Sequence, residues 1–496
     1  MHYCYNEFLY KQIMNYRYIL ALFLTALFSV IQASAEDVLP QMYIEYSGAL
    51  SKNMDYIHGT LALTDSDGST VSYDNILLKT RGATAKDYAN KPALNIKFRT
   101  AEGDELDTDL LGLRKASTFI LDAMAIDRIN MRNRVAFDIW NSFSRLPYET
   151  DFGSRNGTVG RFVEVFLNGK YKGIYCLSDK INRKLLDLKK PEVDEAAGTV
   201  TVRGVLYKNG TNDIGNQNTP GFFNDYSVYV AAYHDAWELH EPDDYPSEEV
   251  WAPLAELYSN GNKESYRYVK EHFFLENLAD YTIHIMALSI ADNWGAKNRY
   301  FSVRNITKTD DRGKFVITPW DLDTSLGGSY KGAYYGGQYS SWAVGDVAKN
   351  PPMPIAPCMG QPEFRSLLKK RWIEGSLGAF AVDSVKERLE SYADLFIDSG
   401  AWQRTLEAAN NHDLTVTDLK EEVRLIGEWY ERRFEEMDRY FNVTAAEREE
   451  AAGIEGAVEE RIPSENYIYN IQGIRVNDMN APGLYIVNGK KILVRP

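Results

Sequence analysis

Two short segments carry side chains whose types and spacing suit chemistry. Asp292-Asn293-Trp294-Gly295-Ala296-Lys297-Asn298 follows a long apolar run, and Pro319-Trp320-Asp321-Leu322-Asp323 follows the strand-like Phe315–Ile317. Carboxylates and carboxamides at the ends of hydrophobic elements must be paired, hydrated or metal-bound, because stripping water from an ion is costly. Phosphoryl transfer asks for a carboxylate that orients the attacking hydroxyl, then an Asn and a separate Asp that hold a divalent ion against the phosphates. Asp292, Asn298 six positions later, and Asp321 offer that set in that order. The same groups also suit a pair of Asx-turns and a buried ion pair, and spacing alone leaves both readings open. Glycoside hydrolysis fits less well. Asp321 and Asp323 would share one face of one extended segment, and so could not flank a bond from both sides.

The elements that must position these groups can be read from hydrophobic period. Met42–Tyr46, Thr60–Thr64, Ile76–Lys79 and Ala93–Phe98 read as strands between Asp/Ser/Gly turns. Helical spacing runs over Asp127–Phe143, where Met131, Val135, Ile139 and Phe143 share a stripe. Phe162–Leu167 and Gly173–Leu177 form a hairpin about Asn168-Gly169. Phe273–Ile290 is apolar all round, as a buried helix is. Tyr300–Val303 and Phe315–Ile317 are strands about a charged turn, and Ser325–Ser341, rich in Tyr and Gly, reads as a loop. Glu363–Phe441 is helical, its last helix starting behind a Thr417 cap. The body is therefore α+β, rich in strands first and helical later.

Charge and composition exclude some classes. A net charge of −15 over 496 residues argues against a duplex nucleic-acid binder. Beyond the leader there is no apolar tract long enough for a transmembrane segment. Residues 1–35 read as a signal peptide: Lys11 and Arg17, the apolar Ile19–Ile31, then Ala33-Ser34-Ala35 as cleavage site. The three cysteines are Cys4, Cys176 and Cys358. The last two are either a pair or buried free thiols. No CxxC or HExxH occurs, and the histidines lack ligand spacing. An acidic linker is expected over 445–460, followed by a small β-unit over 461–496 with Asn488-Gly489 as its turn.

Several segments, in order, resemble the CotH kinase family. They are Leu78-Lys79-Thr80-Arg81-Gly82 with Lys91-Pro92 and Ile96-Lys97-Phe98, then Asp127-Arg128 with Met131-Arg132-Asn133-Arg134. Next comes the hairpin Phe162–Tyr175, the most specific of them, and then the two Asp segments above. The resemblance covers most of 42–441 and implies an atypical protein-kinase-like fold over 36–444, using ATP or another nucleotide with Mg²⁺ or Mn²⁺. It implies Asp292 as the catalytic Asp, Asn298 and Asp321 as metal-holding groups, and Asp323 as a second ligand or structural partner. Arg81 with Lys91 or Lys97 would meet phosphates, Asp179 would anchor that lysine, and Arg132 and Arg134 would be further phosphate contacts. The tail, Tyr469–Gly473 with Pro482–Ile486, resembles the C-terminal sorting modules of type IX secretion substrates, implying contact with secretion machinery.

The resulting expectation is an exported kinase, at the cell surface, outer-membrane-associated or extracellular, that phosphorylates a protein Ser/Thr or another acceptor. Ala83-Thr84 stand where the family has Asn-Ser/Thr, and Asp179 stands where it has Glu. Nucleotide triphosphate is also scarce outside the cytoplasm. These points carry the alternative of a catalytically inactive surface protein for adhesion or glycan binding.

Overall fold

The computed structural model describes residues 38–494 apart from the segments 52–53, 83–90, 149, 151–153, 210–236, 245–247, 291–292, 294–297, 329–343, 346–350, 352–353, 409–415, 460–467, 471–474, 477–482 and 488–489. The expected leader, Asp292, Lys297, Ala83-Thr84, most of the Tyr/Gly loop and the Asn488-Gly489 turn lie outside the described residues.

Strands β1 (Gln41–Tyr46), β2 (Ile57–Thr64), β3 (Thr70–Thr80), β4 (Leu94–Phe98), β5 (Thr118–Asp122), β6 (Gly160–Leu167) and β7 (Lys170–Asp179) close a barrel in the order β1-β2-β3-β4-β5-β7-β6. Only the closing β1–β6 contact is parallel. The pleat sends alternate side chains inward, so Ile44, Ile76, Leu78, Ile96 and Phe119 fill the interior with no exposure. Each contributes about 1.5–3 kcal/mol by burial. At the β6–β7 turn, Asn168 and Gly169 both take positive φ, as a two-residue hairpin requires.

Helix α1 (Arg132–Phe143) starts later than its periodicity predicts. The reason is Asp127, whose carboxylate accepts the backbone N–H groups of Ile129, Met131 and Arg132 and so ends the preceding turn. A small exposed ribbon pairs β8 (Glu192–Asp194) with β9 (Thr199–Thr201). A second sheet is built from β10 (Val205–Asn209), β11 (Trp237–Glu241), β12 (Arg299–Val303) and β13 (Phe315–Pro319), in the spatial order β11-β10-β12-β13.

Helices α2 (Ala252–His272) and α3 (Leu275–Leu288) precede β12 in the chain. Asn277 of α3 exchanges two hydrogen bonds with the backbone of Ile317, which fixes β13 against the helix. The C-terminal part holds α4 (Ala356–Met359), α5 (Pro362–Ser376), α6 (Val382–Asp398), α7 (Ala401–Ala408) and α8 (Leu419–Phe441). The cap of α8 is Asp418, which accepts the Glu421 N–H, rather than Thr417. The stretch expected as a linker is instead helix α9 (Ala445–Glu459), opened by a capping box between Thr444 and Glu447. Beyond it, β14 (Ile468–Asn470), β15 (Arg475–Val476), β16 (Gly483–Val487) and β17 (Lys490–Val494) pair with one another in the order β15-β14-β16-β17. Cys176 and Cys358 are buried free thiols, not a pair.

Candidate active site

The two Asp segments meet through a strand pair. β12 and β13 run antiparallel with Arg299 opposite Pro319, so Asn298 and Trp320 sit at the same end of that ladder. The Trp320 N–H donates to the Asn298 carbonyl at 3.0 Å. Both Asn298 (φ 63°) and Asp321 (φ 59°) hold left-handed backbone, a conformation uncommon outside glycine. Asn293 supports this corner from below. It is fully buried, and its amide donates to the carbonyls of Trp320 (2.9 Å) and Asp321 (3.1 Å). The turn at Asp321 also breaks the extended segment on which Asp321 and Asp323 would share one face.

Arg81, Asp122, Asn133, Ser178, Trp320 and Asp321 line one narrow cleft of about 20 Å³, room for roughly one water or a cation. The pleat explains the barrel side. Asp122, Ile120 and Ser178 fall on the outer face of β5 and β7, while Leu121, Leu177 and Phe119 point inward. The Asn133 amide donates to Asp122 at 2.7 Å, and its oxygen accepts the Leu322 N–H at 3.1 Å. One side chain thus ties a barrel carboxylate to the loop carrying Asp321. Above it, the Arg81 guanidinium lies 5.2 Å over the Trp320 ring. A far larger cavity, about 730 Å³ between α1, α5 and α9, holds none of the motif residues, so size is no guide to the chemistry here.

The expected phosphate contacts divide. Arg81 reaches the cleft. Lys97 faces outward from β4, with its ammonium 4.6 Å from the Tyr56 ring. The Lys91 ammonium donates to Asn130 at 2.8 Å. Burial pushes it down to about 7, against the pull of Asp122 and Asp127. Arg132 is 2% exposed and its guanidinium pairs with Asp127 at 2.6 Å, so it secures the start of α1. Arg134 lines the cleft, but its donors go to Asp138 and the Thr158 carbonyl.

Asp179 faces the barrel interior. It stands opposite Phe119, which stands opposite Ile96, in an inward row, whereas Lys97 opposite Thr118 faces out. Asp179 accepts the Val159 N–H instead. Burial raises its pKa, and Arg155, Arg114 and Arg134 oppose the rise. Asp323 lies in the next turn and does not line the cleft.

Sequence reading missed Asp122, whose importance depends on strand pairing, and missed Lys180 and Lys208. Burial lowers the pKa of Lys180, as does the nearby charge of Lys97. Burial likewise lowers Lys208, with Glu238 opposing. On β11, a hydrogen bond from His240 holds Glu238 down at about 2.

Two carboxylate residues, Asp122 and Asp321, line one small space together with Asn133, and carboxylate oxygens are the donors that a hard divalent cation takes. The Asn298 amide nitrogen is buried and has no hydrogen-bond partner among the described residues; it is a donor, so what it leaves open is a bond to an acceptor such as a phosphate or water oxygen. No cluster of three or more His, Cys, Asp or Glu able to hold a metal occurs among the described residues. A cation here would therefore share its shell with phosphate oxygens and water, as Mg²⁺ does in phosphoryl-transfer sites.

A family model described as CotH kinase protein matches residues 78–437, from the end of β3 to the last turns of α8. A search of curated proteins returns no match to the chain.

Proposed function

The chain belongs to the CotH kinase family, and from this premise we propose that it is an exported phosphotransferase acting on a protein Ser/Thr or a comparable hydroxyl. The observation that carries the proposal is that Asp321, in left-handed backbone, shares a cleft with Arg81 and the Asp122–Asn133 pair, while Asn298, also left-handed, is bonded through its carbonyl to the neighbouring Trp320. Strained backbone at two adjacent polar residues is the kind of cost that persists where side chains must be aimed.

In this reading Asp321 and Asn298 hold a divalent cation, which when bound neutralises phosphate charge. Asp292 orients the acceptor hydroxyl and takes its proton. Arg81, fixed over Trp320, meets phosphate oxygens. Asn133 keeps the Asp321 loop in register with the barrel, so that both cleft walls move as one. Export rests on the leader expected at 1–35 and the sorting-like tail. Among the described residues, no helix is long and apolar enough to cross a membrane.

Label transfer from γ-labelled ATP, with Mg²⁺ or Mn²⁺, tests the proposal. Wild type should transfer label, while Asp292→Ala and Asp321→Ala should each lose at least about a hundred-fold. A wild type that neither transfers label nor melts higher with Mg²⁺–ATP would remove the enzymatic reading, because any ligand of the native state raises its melting temperature.

A further inference from the structure

On the second sheet, cross-strand register places Glu238, Lys208 and Tyr300 in one row. Residues directly opposite one another share a face of the sheet. Tyr300 lies 5.8 Å, edge to face, from Trp320, and Trp320 carries Arg81 above it at 5.2 Å. The row therefore runs from Lys208 straight to the corner that holds Asp321. From the barrel, Lys180 follows the inward Asp179, so it leaves β7 on the side of Ser178, which lines the cleft.

In keeping with that placement, the charge of Arg81 acts on both Lys180 and Lys208, and that of Asp321 acts on Lys208. Neutralisation is incomplete. Lys208 is 3.9 Å from Glu238, beyond hydrogen-bond reach, and Glu238 is already engaged by His240 at 3.1 Å. Glu241, near Lys180, accepts the Arg183 backbone N–H.

We infer that Lys180 and Lys208, with Arg81, form a polyphosphate cradle on the wall facing Asp321. Like charges delivered by three separate strand ends repel one another, and a polyanion relieves that repulsion. Ammonium and guanidinium groups suit phosphate oxygens as point charge and fork respectively. The inference deepens the proposed function and rests on it for the identity of the polyanion as a nucleotide.

The test uses the full chain and calorimetric titration with Mg²⁺–ATP, tripolyphosphate and adenosine. Lys208→Met and Lys180→Met should each bind ATP and tripolyphosphate about ten-fold more weakly, with adenosine unchanged. Lys208→Arg should restore most of the loss. Should Lys208→Met not fold, Lys180→Met on the barrel carries the same test. Wild-type binding of tripolyphosphate without ATP would support the cradle and overturn the nucleotide reading. Equal ATP affinity in wild type and both Met variants would overturn the cradle and leave the proposed function standing. A wild type that binds neither phosphate compound overturns both.

Discussion

Lys91 shows how far a single side chain can be from its sequence-level reading. Its motif marks it as a phosphate contact, yet its ammonium is bonded to Asn130 and set between the fields of Asp122 and Asp127. Burial outweighs those two carboxylates and brings it down to about 7 from an ordinary 10.5. Between those values the unfolded chain keeps the proton and the native state has released it. Raising the pH through that window therefore favours the native state, and below it the penalty is present in full. Lys91→Met removes this term. Urea unfolding should show wild type gaining stability relative to Lys91→Met from about pH 7 to about pH 10. A gap that stays constant across that range would show an amine that titrates normally. Asp122, Lys180 and Lys208 were illegible in the sequence for a related reason. Each looks like an ordinary polar residue closing or following an apolar run, and only cross-strand pairing shows which face it joins. For Arg132 and Asp179, likewise, the motif match carries no information on which way the cap or the pleat turns the side chain.

Elements were legible where local pattern and tertiary demand agree. The hairpin Gly160–Asp179 and the apolar helix Leu275–Leu288 both announced themselves. β10 and β11 did not, because they pair across a long intervening segment rather than about a tight turn. The Thr444–Glu447 capping box was present in the sequence, but acidic composition over 445–460 obscured it. Within the hairpin, Gly173 has a role that composition cannot give. It holds φ at +92°, and a Cβ there would lie 3.1 Å from the Thr405 methyl of α7. β7 and α7 therefore approach as closely as a missing side chain permits, beside the Glu164–Arg404 pair that joins the neighbouring β6 to α7. Gly173→Ala should cost about 1–3 kcal/mol, read as a lower denaturation midpoint at unchanged slope. Adding Thr405→Ala should recover only part of this, since it relieves the contact and leaves the backbone strain. Full recovery would mean that φ is not constrained at Gly173.

At the scale of the whole chain, α9 decides how the tail is joined to the body. The family match ends at Met437, before α9 begins, yet the first turns of α9 are tied to the family region. Lys369 of α5 meets Glu447 at 2.6 Å, and Arg448 reaches both Asp438 of α8 and the Ser376 hydroxyl. These pairs are half-exposed, so each is modest and screened by salt. The tail strands, by contrast, take their pairing from one another. Two truncations separate the contributions. A chain ending at Glu459 keeps every α9 contact and should melt within about 2 °C of the full chain, with any nucleotide response intact. A chain ending at Val443 loses them and should melt about 2–4 °C lower, the difference shrinking in high salt as the ion pairs are screened. Equal melting of the two truncations would reduce α9 to a tether. A large fall on removing only the tail would mean that the β-unit is part of the folded body, and the reading of 461–496 as a separable address would have to be given up.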